Sequence, residues 1–302
     1  MMGVYGLFLV AAVAVGCAVF YPAARRAGLS GRTLPLLALL SVLLGALCGR
    51  LYLHAAKYMV NGTGFWGYMP LSTRPYEYAA CGTALGVMLA GCVTAKLTRQ
   101  KALRVLDALA PAALLALAVA RFGEHFSDFG WGQVLVSPVW QRFPFAVQDI
   151  FGQWHLAVYM LEGALALAVG VLVLRSRPKQ AGESFLRALL WWAAAQILCE
   201  SLRAETIRWG FVRVQQLQCA VFMLAVLLAN AKRAGWLRRA GRPCLLFFAG
   251  IGVIVFVEYA LDKLEFIPVP VLYGFMAAAL VCMGLTAQGR REPYKGGNGE
   301  TV

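Results

Sequence analysis

Apolar residues in this chain come in long runs broken by short polar stretches, with neither the alternation of strands nor the one-sided stripe of a surface helix. A helix needs about 20 mostly apolar residues to cross the hydrocarbon of a bilayer. Nine runs meet that length: 3–22, 34–54, 78–97, 103–121, 154–174, 185–202, 211–231, 243–261 and 269–288. The sixth is short and ends in the charged sequence Cys199-Glu200-Ser201-Leu202-Arg203. The pattern predicts an all-α, polytopic membrane helix bundle.

Composition agrees with this reading. The 302 residues are 61% hydrophobic and 14% charged, where soluble domains carry about a quarter charged residues. The net charge of +14 is no nucleic-acid footprint, because the basic residues sit in short loops between spans. Of the 28 lysines and arginines, 19 fall in one alternating set of loops and nine in the other. Positive residues stay in the cytoplasm, which predicts an outside N-terminus and a cytoplasmic C-terminus. No positive charge precedes the first run, whereas Arg25 and Arg26 follow it. A secretory signal has the reverse order, so a retained helix is expected. The eight cysteines lie in or at the ends of apolar runs without C-x-x-C spacing, which predicts buried free thiols and not bridges or metal ligands. Three scattered histidines give no metal motif, and no cofactor is implied.

The polar residues left inside or beside the spans are the candidate chemistry. The stretch 107–132 starts with Asp107, crosses Pro111 and delivers Arg121, Glu124 and His125 into an aromatic, glycine-rich loop. An ionisable group at such a boundary is either a functional residue or an arginine snorkelling to the headgroups. Glu162 lies in the fifth span with His155 before it, Glu200 and Arg203 share a helix face at the end of the sixth, and Gln215, Gln216 and Gln218 open the seventh. All of these lie toward one end of the bundle, which suggests one shared outward cavity. The loops 55–77 and 122–153 at that end hold many aromatics, among them Phe65, Trp66, Tyr68, Tyr76, Trp131 and Trp140. Such residues anchor at headgroup level, and loops near thirty residues long are usually functional. Gly82 and Gly86 form a G-x-x-x-G with Ala90 one step on, a spacing that lets helices approach closely. The last two spans carry little besides Glu258 and read as an appended hairpin, 243–288, before a polar, disordered tail, 289–302.

Taken together, these residues resemble the prolipoprotein diacylglyceryl transferase family over about residues 1–231, a core of seven spans. Asp107, Pro111, Arg121, Gly123, Trp131 and Gly132 fall at the spacings of the family's Asp-x-x-x-Pro, its Gly-Arg-x-Gly-Asn-Phe signature and the closing aromatic-Gly pair. Gly49-Arg50-Leu51-Tyr52 is similar to the family's Gly-Ala-Arg-x-x-Tyr, and Glu162-Gly163 to the end of its Tyr-Glu motif. Glu200-Ser201-Leu202-Arg203 is similar to its Glu-Phe-x-Arg, and Gln216-Leu217 to its Gly-Gln-x-Leu. Among the chain's departures from the family, Cys81 stands where the family has histidine, Glu124 where it has asparagine, and Phe129 where it has glutamate.

The resemblance implies a multi-pass protein of the bacterial cytoplasmic membrane. Its activity would move a diacylglyceryl group from phosphatidylglycerol, or a related anionic lipid, to the lipobox cysteine thiol of a lipoprotein precursor. The alternative is a lipid-binding protein that keeps the fold and has altered or lost the reaction. The candidate catalytic residues are Arg121 and Arg203, which match family arginines, with Glu124 and His125, which stand in for the missing histidine; the candidate substrate-binding residues are Arg50, Gly123, Gly132, Glu162, Glu200 and Gln216. Arginine's planar fork suits a lipid phosphate, and two guanidiniums held close need an anion between them. Glu124 or His125 is then the proton acceptor for the thiol, or Glu124 is a salt-bridge partner of Arg121 one turn away.

The charge bias generates a direct test. Cysteines introduced at Gly64 and Ser137 are expected to react with an impermeant thiol reagent applied from outside, and a cysteine at Gly182 is not. Labelling at 182 from outside would reverse the topology.

Overall fold

A computed structural model describes residues 2–62, 78–127, 130–176, 178–235, 241–264 and 266–288. The aromatics Phe65, Trp66, Tyr68 and Tyr76, the substituted position Phe129 and the tail 289–302 lie outside the described residues.

Nine helices are found among the described residues: α1 Met2–Arg26, α2 Thr33–Asn61, α3 Ala80–Leu97, α4 Ala102–Gly123, α5 Val158–Arg175, α6 Glu183–Leu202, α7 Val214–Arg233, α8 Gly241–Lys263 and α9 Val269–Gln288. All nine are long and apolar enough to cross a membrane, and the chain is a multi-pass membrane protein. The runs read from hydropathy match these helices to within a few residues, with three informative exceptions. α2 continues to Asn61 and stops where Gly62 turns left-handed (φ +64°), its N–H bonding the Tyr58 carbonyl. The fifth and seventh helices start later than their apolar runs, because Trp154–Leu156 and Val212–Arg213 are used as strands.

The closest helix neighbours are α2 with α3, α1 with α4, α4 with α5, and α6 with α7, while α4 also touches α3 and α6. Small residues set the first pair. A Cβ on Gly82 would meet the Cys48 carbonyl oxygen at 2.6 Å and the Gly49 Cα at 2.9 Å, and one on Gly86 would strike the Leu44 backbone. The two backbones touch along this stripe, as small-residue spacing allows. α8 and α9 pack on each other, and α9 packs on α6 and α7. Phe247, Ile254, Leu272 and Met276 of the hairpin belong to the same buried cluster as Leu190, Ile197 and Met223. Asn230 of α7 donates to the Ala287 carbonyl at 2.9 Å, a polar tie in an otherwise apolar contact.

Asp107 has a structural task. Its carboxylate leaves α4 and accepts the amides of Gly182 and, at 3.0 Å, Phe185, so it caps the N-terminus of α6 from a neighbouring helix. The acid at the foot of the 107–132 stretch therefore fixes where α6 begins.

At the opposite end the long connection between α4 and α5 is built on a hairpin. β1 (Ala146–Gln148) pairs antiparallel with β2 (Trp154–Leu156), with Val147 opposite His155. Gly132 and Leu135 donate to the Leu156 and Trp154 carbonyls on the other edge of β2, both at 2.7 Å. Asp149 organises the turn: Oδ1 accepts the Phe151 and Gln153 amides at 2.8 Å each, and Oδ2 lies 3.1 Å from His155 Nε2. The His155 ring stacks on Trp131, which takes it out of the fifth helix and out of the polar cavity predicted there. Loss of solvent works against ionisation of Asp149, but the Gln153 amide, the His155 ring and the Phe151 amide outweigh it and hold the carboxyl below its ordinary range. Phe143, Ile150 and Phe151 project outward from this loop, as aromatics at a headgroup boundary do. A second small hairpin, β3 (Arg208–Trp209) with β4 (Val212–Arg213), joins α6 to α7.

Two outcomes follow from this packing. Gly86→Leu is expected to lower the stability of detergent-purified protein by about 1–3 kcal/mol, whereas Gly252→Leu, with open space around it, is expected to be neutral; equal thermal midpoints for the two variants would contradict the α2–α3 contact. The Asp149 carboxyl has a folded pKa below its unfolded value, so its contribution is complete above the ordinary carboxylate range and drains away as pH falls through the folded pKa. Amide protection across 149–155 is expected to hold at neutral pH and to weaken below about pH 4. Asp149→Asn should remove that acid-dependent part of the protection. Protection in the parent protein that does not change with pH would contradict the role given to this carboxylate.

Candidate active site

The last turn of α4 carries Arg121, and a 3₁₀ turn, Glu124–Phe126, continues from it. That continuation keeps Glu124 on the face of Arg121 three residues back, and the two side chains pair through Arg121 Nη1 and Glu124 Oε1. Glu162 sits one turn into α5, and its Oε2 is 2.9 Å from Arg121 Nε. The same oxygen is 2.5 Å from Arg203 Nη2, delivered by the residue that ends α6. The other oxygen of Glu162 accepts Gln196 Nε2 at 2.8 Å. One carboxylate thus joins two arginines from two helices and a glutamine from α6. The anion needed between the guanidiniums is supplied by the chain itself.

Glu200 lies one turn before Arg203 and is 1% exposed. Its Oε1 accepts Gln215 Nε2 at 3.1 Å, and its Oε2 is 4.0 Å from Arg203 Nε with no hydrogen bond among the described residues. Gln215 Oε1 in turn receives the Cys81 amide at 3.4 Å, and the Cys81 Sγ touches Cys219 Sγ at 3.4 Å. The position where the resemblance places histidine therefore holds one of two touching buried thiols. The expectation that the cysteines are buried fails at Cys92 and Cys282, which are exposed on α3 and α9, because an apolar residue in a spanning helix can face out of the bundle.

Breaking a buried pair by removing one partner costs about 3–5 kcal/mol, because the other charge is left without compensation. This cluster is therefore a strong constraint on how α4, α5 and α6 meet. Below the charges, between the same three helices, lies a narrow cleft walled by Leu117, Leu165, Ala166, Trp192 and Ala195, with Arg121, Glu162 and Gln196 at its head. Arg121 Nη2 and Arg203 Nη1 make no hydrogen bond among the described residues, and Arg203 Nε and the buried oxygens Glu124 Oε2 and Glu200 Oε2 have none there either.

The other candidates are placed differently. His125 Nδ1 is 3.0 Å from the Tyr159 hydroxyl, and the ring packs edge-on to Phe143, beside the charged cluster and not within it. Gln216 faces away from the arginines: its Nε2 donates to the Ile197 carbonyl at 3.1 Å and to Glu258 Oε1 at 2.6 Å. Gly123 is crowded by Phe8 of α1, and Gly132 by the Leu202 carbonyl and Val158. Gly132 also bridges to Arg203 across the strand-like contact that locks the end of α6. Arg50 is buried in α2. Gly130 adopts φ +82° and passes so close to Glu124 that a Cβ there would lie 2.7 Å from Oε2.

Gln196 and Tyr159 were missed from the sequence. Gln196 had a usable signal, since Gln196, Glu200 and Arg203 recur at i, i+4 and i+7 and so share one face of an otherwise apolar helix. Tyr159 had none among the many aromatics near it.

The sequence model of the prolipoprotein diacylglyceryl transferase family matches residues 2–231. Among curated relatives, a phosphatidylglycerol–prolipoprotein diacylglyceryl transferase of Bacillus cytotoxicus is 23% identical over 240 residues, 76% of this chain and 87% of the relative. The protein of the same name from Clostridium novyi is 24% identical over 186 residues, 59% of this chain and 70% of the relative. That of Lactococcus lactis subsp. cremoris is 28% identical over 138 residues, 43% and 52% of the two chains. The match runs through α1 to α7 and takes in Arg121, Glu162 and Arg203, and by that extent the chain belongs to the prolipoprotein diacylglyceryl transferase family.

Proposed function

We propose that this chain moves a diacylglyceryl group from phosphatidylglycerol, or a related anionic glycerophospholipid, to the lipobox cysteine thiol of a lipoprotein precursor. It does so in the bacterial cytoplasmic membrane, with the N-terminus outside, the C-terminus cytoplasmic and the charged cluster toward the outer leaflet. The observation that carries this reading is the convergence of Arg121 and Arg203 on Glu162 at the head of an apolar cleft. The names of the relatives from Bacillus cytotoxicus and Clostridium novyi support the donor and the acceptor.

In this reading the acyl chains remain in the bilayer beside α4, α5 and α6, and the small cleft between these helices lies next to the headgroup site. The lipid phosphate takes the unused donors, Arg121 Nη2 and Arg203 Nη1. The phosphate competes with Glu124 for Arg121, and Glu124, released from the pair, accepts the proton of the incoming thiol. The thiolate is the nucleophile, and an unperturbed thiol near pKa 8.5 needs such an acceptor. Sulfur attacks the glyceryl carbon, the carbon–oxygen bond to phosphate breaks, and its electron pair leaves on glycerol phosphate. A thioether forms, and the two guanidiniums stabilise the departing charge. Gln196 and Glu200 hold Glu162 and the end of α6 in place. His125 and Tyr159 line the approach from the 122–157 loop.

A second reading is favoured by one observation. The buried Cys81–Cys219 pair occupies the place of the family's histidine, so the chain on this view keeps the lipid site and has lost the reaction. Purified protein in phosphatidylglycerol vesicles with a lipobox peptide separates the two readings. Peptide gaining the mass of a diacylglyceryl group supports transfer, while lipid binding without product supports the second reading.

The arginines are tested in the same assay. A charged hydrogen bond contributes about 1.5–3 kcal/mol, so Arg121→Ala and Arg203→Ala should each lower lipid binding or turnover by about one to two orders of magnitude. Lysine at either position should restore part of this, since it keeps charge and loses the fork. The double alanine variant should lose less than the sum of the two single losses. Parental lipid affinity in both folded single variants would rule out a shared phosphate site.

A further inference from the structure

The α8–α9 hairpin lies beyond residue 231, where the family match ends, and its polar side chains reach the junction between α6 and α7. Glu258 of α8 is 6% exposed, and Arg213, on β4, is 3% exposed. Glu258 Oε2 lies 3.4 Å from Arg213 Nε, and Oε1 accepts Gln216 Nε2 at 2.6 Å. A carboxylate in a spanning helix needs a partner, and Arg213 supplies one. Arg213 does more than neutralise it. Its Nη1 donates to the Arg203 carbonyl and to Thr206 Oγ1, both at 2.9 Å. From α9, the Tyr273 hydroxyl donates to the Ser201 carbonyl at 3.2 Å.

These contacts fall on groups that a helix end leaves without intrahelical partners. The last carbonyls of an α-helix have none, and in α6 two of them, Ser201 and Arg203, are satisfied from α9 and from the arginine that Glu258 holds. Arg203 is the residue at which α6 gives way to extended backbone (φ −72°, ψ 140°) while its side chain turns to Glu162. The direction of that guanidinium depends on how the backbone leaves the helix. The hairpin therefore grips the exit of α6 on one side, and the Gly132 bridge grips it on the other.

We propose that the α8–α9 hairpin is a positioning element of the transfer site, with Glu258 acting through Arg213 to fix the backbone at Arg203. The proposal rests on the transferase reading for its kinetic part. Glu258 touches no substrate; it aims a residue that does. Placement errors of about an ångström cost up to about a hundredfold in rate. Removing the Glu258 charge should therefore appear in kcat, where the departing phosphate must meet Arg203, more than in the KM for lipid, which Arg121 also supports.

The test compares the parent with Glu258→Gln, Glu258→Asp and the double variant Glu258→Gln/Arg213→Gln, as full-length protein in phosphatidylglycerol vesicles with a lipobox peptide. Glu258→Gln is expected to lower kcat by about ten- to a hundredfold with KM changed less than about threefold. Amides 204–212 should exchange faster, and aspartate should recover part of both effects. If Glu258→Gln does not fold, the double variant decides, because it removes both charges and leaves neither stranded. Reduced kcat and faster exchange in that folded protein support the proposal. Parental kcat and parental exchange in any folded variant lacking the Glu258 charge overturn it. A parent protein that transfers nothing sinks the transferase reading, and the hairpin is then judged on exchange alone: unchanged exchange at 204–212 overturns it, and faster exchange supports the grip on α6.

Discussion

Glu162 has to satisfy two guanidiniums at once, in a place walled by leucine, alanine and tryptophan. Charges so placed are costly unless each finds a partner at hydrogen-bond distance, and the partners here come from different helices. Arg121 is fixed by the end of α4, Glu162 by the first turns of α5, and Arg203 by the last residue of α6. Within their own chain segments they have only the short pair of Arg121 with Glu124 and the 4.0 Å approach of Glu200 to Arg203, which makes no hydrogen bond. The three helices must therefore meet at one height and in one rotation. Much of the remaining structure can be understood as keeping them there: the Asp107 cap at the foot of α6, the strand-like lock of Gly132 on Arg203, and the glycines that let side chains such as Phe8 and Phe122 press against α4 and α5.

On the proposed function the same cluster serves the reaction as well as the stability of the fold. Among the described residues, nitrogens of both arginines and the carboxylate oxygens Glu124 Oε2 and Glu200 Oε2 are left over once the internal pairs are made. A ligand with phosphate oxygens can use those donors without dismantling the Glu162 core. Only the outermost pair, Arg121 with Glu124, must open. The internal carboxylate thus keeps two like charges together without a ligand, so on the proposed function the site is organised before a lipid arrives. Preorganisation of this kind is what lets fixed charges act on a transition state.

The spans were legible because length and apolarity alone decide whether a segment can cross a bilayer, and the positions of Arg121, Glu162, Glu200 and Arg203 were legible because ionisable residues are rare in such segments. What the sequence did not carry was partnership. The carboxylate bridging the two arginines comes from a residue 41 positions before Arg203, and no local pattern announces it. Gln216 looked like a member of the same cavity because it opens the seventh span, but a helix turns about 100° per residue, and its neighbour Gln215 takes the inward direction instead. Trp154 to Leu156 read as the start of a helix because their hydrophobicity fits one. The Asp149 turn and the edge offered by Gly132 to Leu135 draw them into strands. Asp107 read as the start of a chemical motif and serves instead as a cap for a helix 75 residues away.

α6 is held at both ends. Asp107 fixes its first turn, and Gly132, Arg213 and Tyr273 fix its last. Twenty residues lie between these grips, and at about 1.5 Å of rise each they span about 30 Å, one hydrocarbon thickness. A helix clamped in this way behaves as a strut. In a thicker or thinner bilayer helices at the periphery can tilt to follow the lipid, while the charges at the head of α6 keep their distance from its foot. The protein carries its own ruler, and the depth of its arginines relative to the foot of α6 is set by a count of residues and not by the membrane around it.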